Sequence, residues 1–204
     1  MSMFITFEGI DGSGKSTQAR RTVEWLRDRR FAASLTREPG GSPGAEEIRR
    51  LLVDGESGRW SAETELLLFT AARRDHVERT IRPRLAAGEI VVSDRFADST
   101  RVYQGATRGD LRDKVDLLHR EMIGLEPDLT LIIDIDPDIA LSRGLARASG
   151  EDRFEDMGAS FQRMLRSGFR VLAQALPRCV MIDGNGSVDD VFDRVATVLG
   201  RHMT

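Results

Sequence analysis

Apolar residues along the chain fall into two recurring patterns, short solid runs and longer stretches with helical spacing. The short runs are Met3–Phe7, Phe31–Thr36, Glu89–Ser93, Leu129–Ile135 and Cys179–Ile182. Runs of this length, apolar on both faces, suit strands buried in a parallel sheet. Leu129-Thr130-Leu131-Ile132-Ile133-Asp134-Ile135 is the strongest of them. Between the runs, helical patterns cover Gln18–Arg30, Ala45–Val53, Leu111–Ile123, Phe154–Leu176 and Val188–Leu199, with a long one from Ser61 to Gly88 and a short one from Pro137 to about Arg143. In the second of these, Ile48, Leu51 and Leu52 share a face while Glu46, Glu47, Arg49 and Arg50 lie largely elsewhere. Punctuation agrees with the pattern. Pro43 and Pro137 suit first helical turns, Ser61 begins a partial capping pattern, and Gly88 and Pro177 are stops. Phe96–Gly105 leads through a turn at Arg108-Gly109-Asp110. Strands alternating with helices predict an α/β fold: a single domain, residues 1–204, with a doubly wound, five-stranded parallel sheet and helices on both faces. Ligands of such sheets gather at the carboxyl ends of the strands.

Three segments follow strands and should converge there: the Gly9 loop, the Arg37 loop and Asp94-Arg95. The first reads Gly9-Ile10-Asp11-Gly12-Ser13-Gly14-Lys15-Ser16-Thr17, the pattern G-x-x-x-x-G-K-S between a strand and a helix. Glycines let backbone N–H groups close around a β-phosphate where a Cβ would intrude. Lys15 brings a mobile positive charge to the β/γ oxygens, and Ser16 offers a hydroxyl to Mg²⁺. The new helix points its positive end at the anion. The whole stretch from Gly9 to Thr17 is therefore the candidate ATP-binding loop.

Composition narrows the alternatives. The net charge of −3 supplies no global basic field for nucleic acid or an anionic membrane, so neither is an expected partner. Cys179 is the one cysteine and sits in an apolar run, which excludes an internal disulfide and a thiolate metal cluster. No run approaches the roughly 18 apolar residues of a membrane span. The N-terminus enters a strand at once, so the cytoplasm is the expected compartment. No Asn-Lys-x-Asp string is present to read guanine. A phosphotransferase acting on small molecules remains, and it must neutralise two anions brought together. Arg37, Arg95, Arg147 and Arg153 are the natural supply of charge.

Several strings carry a more specific resemblance. Phe7–Thr17, Thr36-Arg37-Glu38-Pro39-Gly40-Gly41, Ala71-Ala72-Arg73, Ser93-Asp94-Arg95-Phe96, Tyr103-Gln104-Gly105 and Pro127-Asp128-Leu129-Thr130 resemble the thymidylate kinase family in order and interval, from residue 3 to about residue 183. The resemblance implies the P-loop nucleoside monophosphate kinase fold. It also implies transfer of the γ-phosphoryl group of ATP to dTMP, giving dTDP for dTTP biosynthesis, with Mg²⁺ and as a homodimer.

Site roles follow from the same resemblance. Asp11 is matched to the sugar 3′-hydroxyl and the acceptor end of the site, although a loop aspartate can also cap a turn. Glu38 is placed near the acceptor sugar and phosphate or the metal region, with a loop salt bridge as the alternative, and Arg37 shares its string. Arg49 is matched to an acceptor-phosphate arginine. Phe69 and Arg73, four apart, share a helix face, so the ring can stack on a pyrimidine while the guanidinium donates to its O4; a packed core phenylalanine reads the same way. Asp94 is matched to a metal-side acid acting through water, and Arg95 to a bidentate grip on the acceptor phosphate. Thr100 and Gln104 are matched to the base edge, and Tyr103 to the 2′ side of the sugar. One family type has an arginine directly after the loop acid. This chain has Gly12 there, which implies that the missing charge comes from a mobile lid at about 144–153 carrying Arg147 and Arg153. Spacing does not say which of the two reaches the transferred group. Another nucleoside kinase on the same scaffold, or a non-catalytic nucleotide switch, stays open at this point.

Overall fold

The computed structural model describes residues 1–54, 58–106, 110–145 and 158–203. Among them, five strands form one sheet: β1 (Met3–Glu8), β2 (Ala33–Arg37), β3 (Ile90–Asp94), β4 (Leu129–Asp134) and β5 (Cys179–Asp183). Their order is β2-β3-β1-β4-β5 and every neighbouring pair is parallel. The first strand is thus central, and every one of its residues is buried. The pleat divides them between two cores. Met3, Ile5 and Phe7 pack with Val23 and Leu26 of α1 (Lys15–Asp28) and with Val195 and Leu199 of α9 (Val188–His202). Phe4 packs on the other side with Val77, Ile81, Val91 and Phe96.

The helices between are α2 (Pro43–Val53), α3 (Ala62–His76), α4 (Arg82–Ala86), α5 (Ala97–Thr100), α6 (Arg112–Leu118), α7 (Pro137–Leu145) and α8 (Gly158–Ala175). Ser61 caps α3, its hydroxyl accepting from the Thr64 N–H at 3.2 Å. Two expectations needed adjustment. The long helix after Ser61 is interrupted by a π-helical turn, Val77–Ile81, before α4. Pro83 is the cause: it lacks an N–H, and its ring would clash with the carbonyl four residues earlier, inside that turn. Ala97–Ala106, to which the apolar pattern assigns no element, is helical, with α5 running into a π-helical segment, Arg101–Ala106. Its buried residues mix apolar and polar side chains, Ala97, Val102 and Tyr103 with Asp98, Thr100 and Gln104, which blurs the apolar spacing of a helix. The turn residues Arg108 and Gly109 lie outside the described residues, as does 146–157, which includes most of the expected lid.

Candidate active site

The phosphate loop leaves the carboxyl end of β1 and opens α1 at Lys15. Gly14 is the N-cap, with φ 92°, and provides no side-chain cap, while the first turn carries no acid. Unsatisfied N–H groups therefore face outward as an anion site. Gly12 is required by space as well as by its φ of 79°: a Cβ there would lie 2.0 Å from the Ala140 carbonyl oxygen of α7. An arginine at this position would force α7 and the loop apart. Lys15 is buried, and its Nζ lies 3.4 Å from the Ile10 carbonyl and 3.4 Å from Asp11 Oδ1. Burial, with the Arg95 guanidinium nearby, pushes its pKa below the usual lysine value. Ser13 Oγ and Asp94 Oδ1 are buried and, among the described residues, accept or donate no hydrogen bond. Such orphaned oxygens call for a bound partner. Ser16 and Thr17 are half-buried in the first helical turn.

Opposite the loop, Arg95 follows β3 with φ 71°, a left-handed conformation that is costly for a residue with a Cβ. Its guanidinium pairs with Asp11 Oδ1. It also donates to Ser99 Oγ at 2.8 Å, the Gly9 carbonyl at 3.3 Å and the Tyr103 hydroxyl at 3.2 Å. Tyr103 in turn donates to Asp11 Oδ2 at 3.0 Å. Burial alone would raise the Asp11 pKa, but Arg95 and Lys15 hold it well below the usual carboxylate range. Three residues from three segments, Asp11, Arg95 and Tyr103, for each of which the resemblance implied a place on the acceptor side, thus meet.

A second cluster lies deeper. Arg73 of α3 donates through Nε to Glu38 Oε2 at 2.7 Å and through Nη2 to Thr100 Oγ1 at 3.0 Å. Its guanidinium carbon sits 5.1 Å from the centre of the Phe96 ring. Phe69, one turn earlier, is half-buried. Glu38 Oε1 lies 3.0 Å from His76 Nδ1, and His76 Nε2 lies 2.6 Å from Thr36 Oγ1. Burial works against the Glu38 carboxylate, yet Arg73 and the His76 hydrogen bond lower its pKa below the ordinary value. Gln104 Nε2 reaches Glu65 Oε2 at 3.4 Å, with both residues buried.

Other expected residues stand apart from these clusters. Arg37 is in register with Asp94 at the sheet edge, but its exposed guanidinium pairs with Glu46 of α2 at 3.1 Å. Arg49 donates to the Pro39 carbonyl at 2.5 Å, bracing the Glu38–Gly41 loop from α2. Arg147 and Arg153 lie outside the described residues.

Sequence reasoning missed Glu8, Glu65, His76 and Asp98, each with 1% or less of its surface exposed. Glu8 accepts from the Phe96 N–H at 2.8 Å and from Ser99 Oγ at 2.6 Å. Burial first and the neighbouring Asp98 second push its carboxyl up to about 7. Asp98 is ringed by Arg101, Arg178 and Thr130. The one local signal was Glu8 itself, an acid directly between a solid apolar strand and the glycine loop.

Two anion cradles side by side, one of backbone amides and one of arginines, are what a phosphotransferase needs to bring a donor and an acceptor phosphate together. With this sheet order and loop, the protein is an ATP-dependent phosphotransferase of the P-loop nucleoside monophosphate kinase fold. The family model described as Thymidylate kinase matches residues 7–195. A thymidylate kinase of Dinoroseobacter shibae is 72% identical over 182 residues, covering 89% of this chain and 88% of that one. One from Jannaschia sp. is 64% identical over 202 residues, 98% of this chain and 97% of that one. The crystal structure of thymidylate kinase from Ehrlichia chaffeensis superimposes with a TM-score of 0.80 at 36% identity, covering 97% of this chain and 98% of that one. The chain belongs to the thymidylate kinase family.

Proposed function

We propose that this chain transfers the γ-phosphoryl group of ATP to dTMP, giving dTDP in the route to dTTP. The observation that carries this reading is the Asp11–Arg95–Tyr103 cluster beside the phosphate loop. It offers a bidentate cation for an acceptor phosphate, with a carboxylate and a ring where its sugar would lie. Arg73, four residues after Phe69, supplies donors for a pyrimidine carbonyl; Thr100 accepts from it at 3.0 Å, and Gln104 is buried one turn further along. A coupled assay with ATP and each nucleoside monophosphate in turn tests the proposal. Turnover of dTMP no faster than of CMP, UMP or GMP would end it, and an ATP affinity indifferent to dTMP would favour a nucleotide switch instead.

The donor set fits Mg²⁺. No group of three or more His, Cys, Asp or Glu side chains that could hold a metal occurs among the described residues. Mg²⁺ needs fewer, because it keeps waters and substrate phosphate oxygens as ligands. The Ser16 hydroxyl and the unpartnered Asp94 carboxylate oxygen would hold it, the latter through water. When bound it neutralises phosphate charge. Lys15 stabilises the charge that develops on the transferred group, and Arg95 orients the acceptor. Arg147 or Arg153 brings the remaining charge on a closing lid at about 144–153, within the one domain of residues 1–204. The tight fit of Gly12 against Ala140 supports this reading, because it leaves no room for an arginine in the loop. One of Arg147→Ala and Arg153→Ala should lower kcat by ~10³-fold with little change in either substrate's binding. Wild-type kcat in both, and in the double variant, would refute the lid.

A homodimer is supported by exposed Leu51, Leu67, Leu117 and Met122, on α2, α3, α6 and the turn after α6. These helices adjoin: the Lys114–Glu63 ion pair, at 3.3 Å, ties α6 to α3. Sedimentation of Leu67→Lys as a monomer against a wild-type dimer would bear this out; a wild-type monomer would refute it. No helix among the described residues is long and apolar enough to cross a membrane. The cytoplasm, where its nucleotide substrates are, is the compartment proposed.

A further inference from the structure

Glu8, at the last position of β1, makes three contacts with one short segment. It accepts from the N–H groups of Phe96 and Ser99, at 2.8 and 3.2 Å, and from the Ser99 hydroxyl at 2.6 Å. That segment begins at Arg95, the residue forced into a left-handed backbone conformation. The Ser99 hydroxyl has one hydrogen and gives it to Glu8, so its oxygen lone pair faces Arg95 Nη1, which donates to it at 2.8 Å. With Glu8 ionised, the direction of each bond follows from the ends of the chain: a carboxylate that accepts and a guanidinium that only donates.

We infer that Ser99 and Glu8 are positioning residues that preset the Arg95 guanidinium for the acceptor phosphate. The inference rests on the proposed role of Arg95 as the grip on that phosphate. Two features support it beyond the distances. Arg95 Nη2 donates to Asp11 and Tyr103 while Nη1 donates to Ser99 and the Gly9 carbonyl, so the fork is held at both terminal nitrogens. And Glu8 is fully enclosed, so its acceptor capacity goes to this segment rather than to solvent. The charged or titratable groups that act on Glu8 are Asp98 and Arg95, and Cys179 of β5 also senses it.

Ser99 is only half-buried, so Ser99→Ala should fold. It should raise KM for dTMP about tenfold, the worth of one hydrogen bond to a charged group, with KM for ATP and the melting temperature unchanged. Ser99→Thr keeps the oxygen and should restore the wild-type KM. Glu8→Gln cannot accept at both positions and should shift KM for dTMP in the same direction. Kinetics are read on whichever of dTMP, dUMP, CMP and GMP the wild-type enzyme phosphorylates best. A preference for another monophosphate would defeat the dTMP reading while the relay is still measured on that acceptor. A wild-type acceptor KM in Ser99→Ala, equal rises for acceptor and ATP, or no recovery in Ser99→Thr would each overturn the relay.

Discussion

In the phosphate loop, positive potential comes from backbone N–H groups and one lysine, which donates to the Ile10 carbonyl and to Asp11 at long distances of 3.4 Å each. On the acceptor side it comes from Arg95 and Arg73, each locked to a carboxylate and to at least one hydroxyl. The donor half leaves Ser13 Oγ and Asp94 Oδ1 without partners, whereas the acceptor half is closely satisfied before any ligand arrives. The contrast has a physical reason. Backbone dipoles cost little to bury, since the helix carries them. A buried guanidinium must be matched by a carboxylate to fold at all. Asp11 and Glu38 therefore have a structural duty as well as any contact with substrate.

The strongest test of the contrast is Lys15→Ala. It removes charge from the loosely held half, so the fold should survive while kcat falls about 10²-fold or more. Steady-state kinetics with a melting curve would check this, and a near-normal kcat would put the lysine away from the transferred group. Arg73→Ala touches the locked half and should act on both levels. KM for dTMP should rise between ~10- and ~100-fold with ATP little affected. Stability should drop by roughly 3 kcal/mol, because Glu38 is left buried without its guanidinium. Adding Glu38→Gln should return part of that stability; no recovery in denaturant melts would show that the pair does not carry the cost. Gly12→Ala probes the loop's shape rather than its charge. Its Cβ would meet the Ala140 carbonyl at 2.0 Å, and φ is 79°, so a loss of roughly 1–3 kcal/mol is expected with a raised KM for ATP.

The smallest effect concerns pH. Burial, then Asp98, raises the Glu8 carboxyl from 4.5 to about 7. The folded state thus holds a proton that the unfolded chain gives up first. Its contribution is complete below about 4.5 and is lost as pH rises towards about 7. Asp11 and Glu38 have lowered values and run the other way, losing their contribution as pH falls. Between those two values, stability should decline less with rising pH in Glu8→Gln than in wild type. Parallel melting temperatures across that window would remove Glu8 as the cause.

The sequence by itself determined the alternation of strands and helices, the parallel sheet, the phosphate loop and the arrival of that loop and of Asp94-Arg95 at the strand ends. These features rest on local causes: the periodicity of apolar residues, glycine where a Cβ cannot fit, and the rule that parallel strands deliver their loops to one edge. Only the tertiary structure decided which charges pair. Arg37 and Arg73 look equally available in the sequence, yet one faces solvent with Glu46 and the other is sealed against Glu38. Glu38 meets His76 across 38 positions and Glu8 meets Ser99 across 91. Residues 97–106 show a weak helical signature because buried Asp98, Thr100 and Gln104 interrupt the rhythm of buried Ala97, Val102 and Tyr103. Periodicity records where a side chain meets apolar surroundings; the choice of partner for a buried charge is made by whichever distant segment the folded chain brings against it.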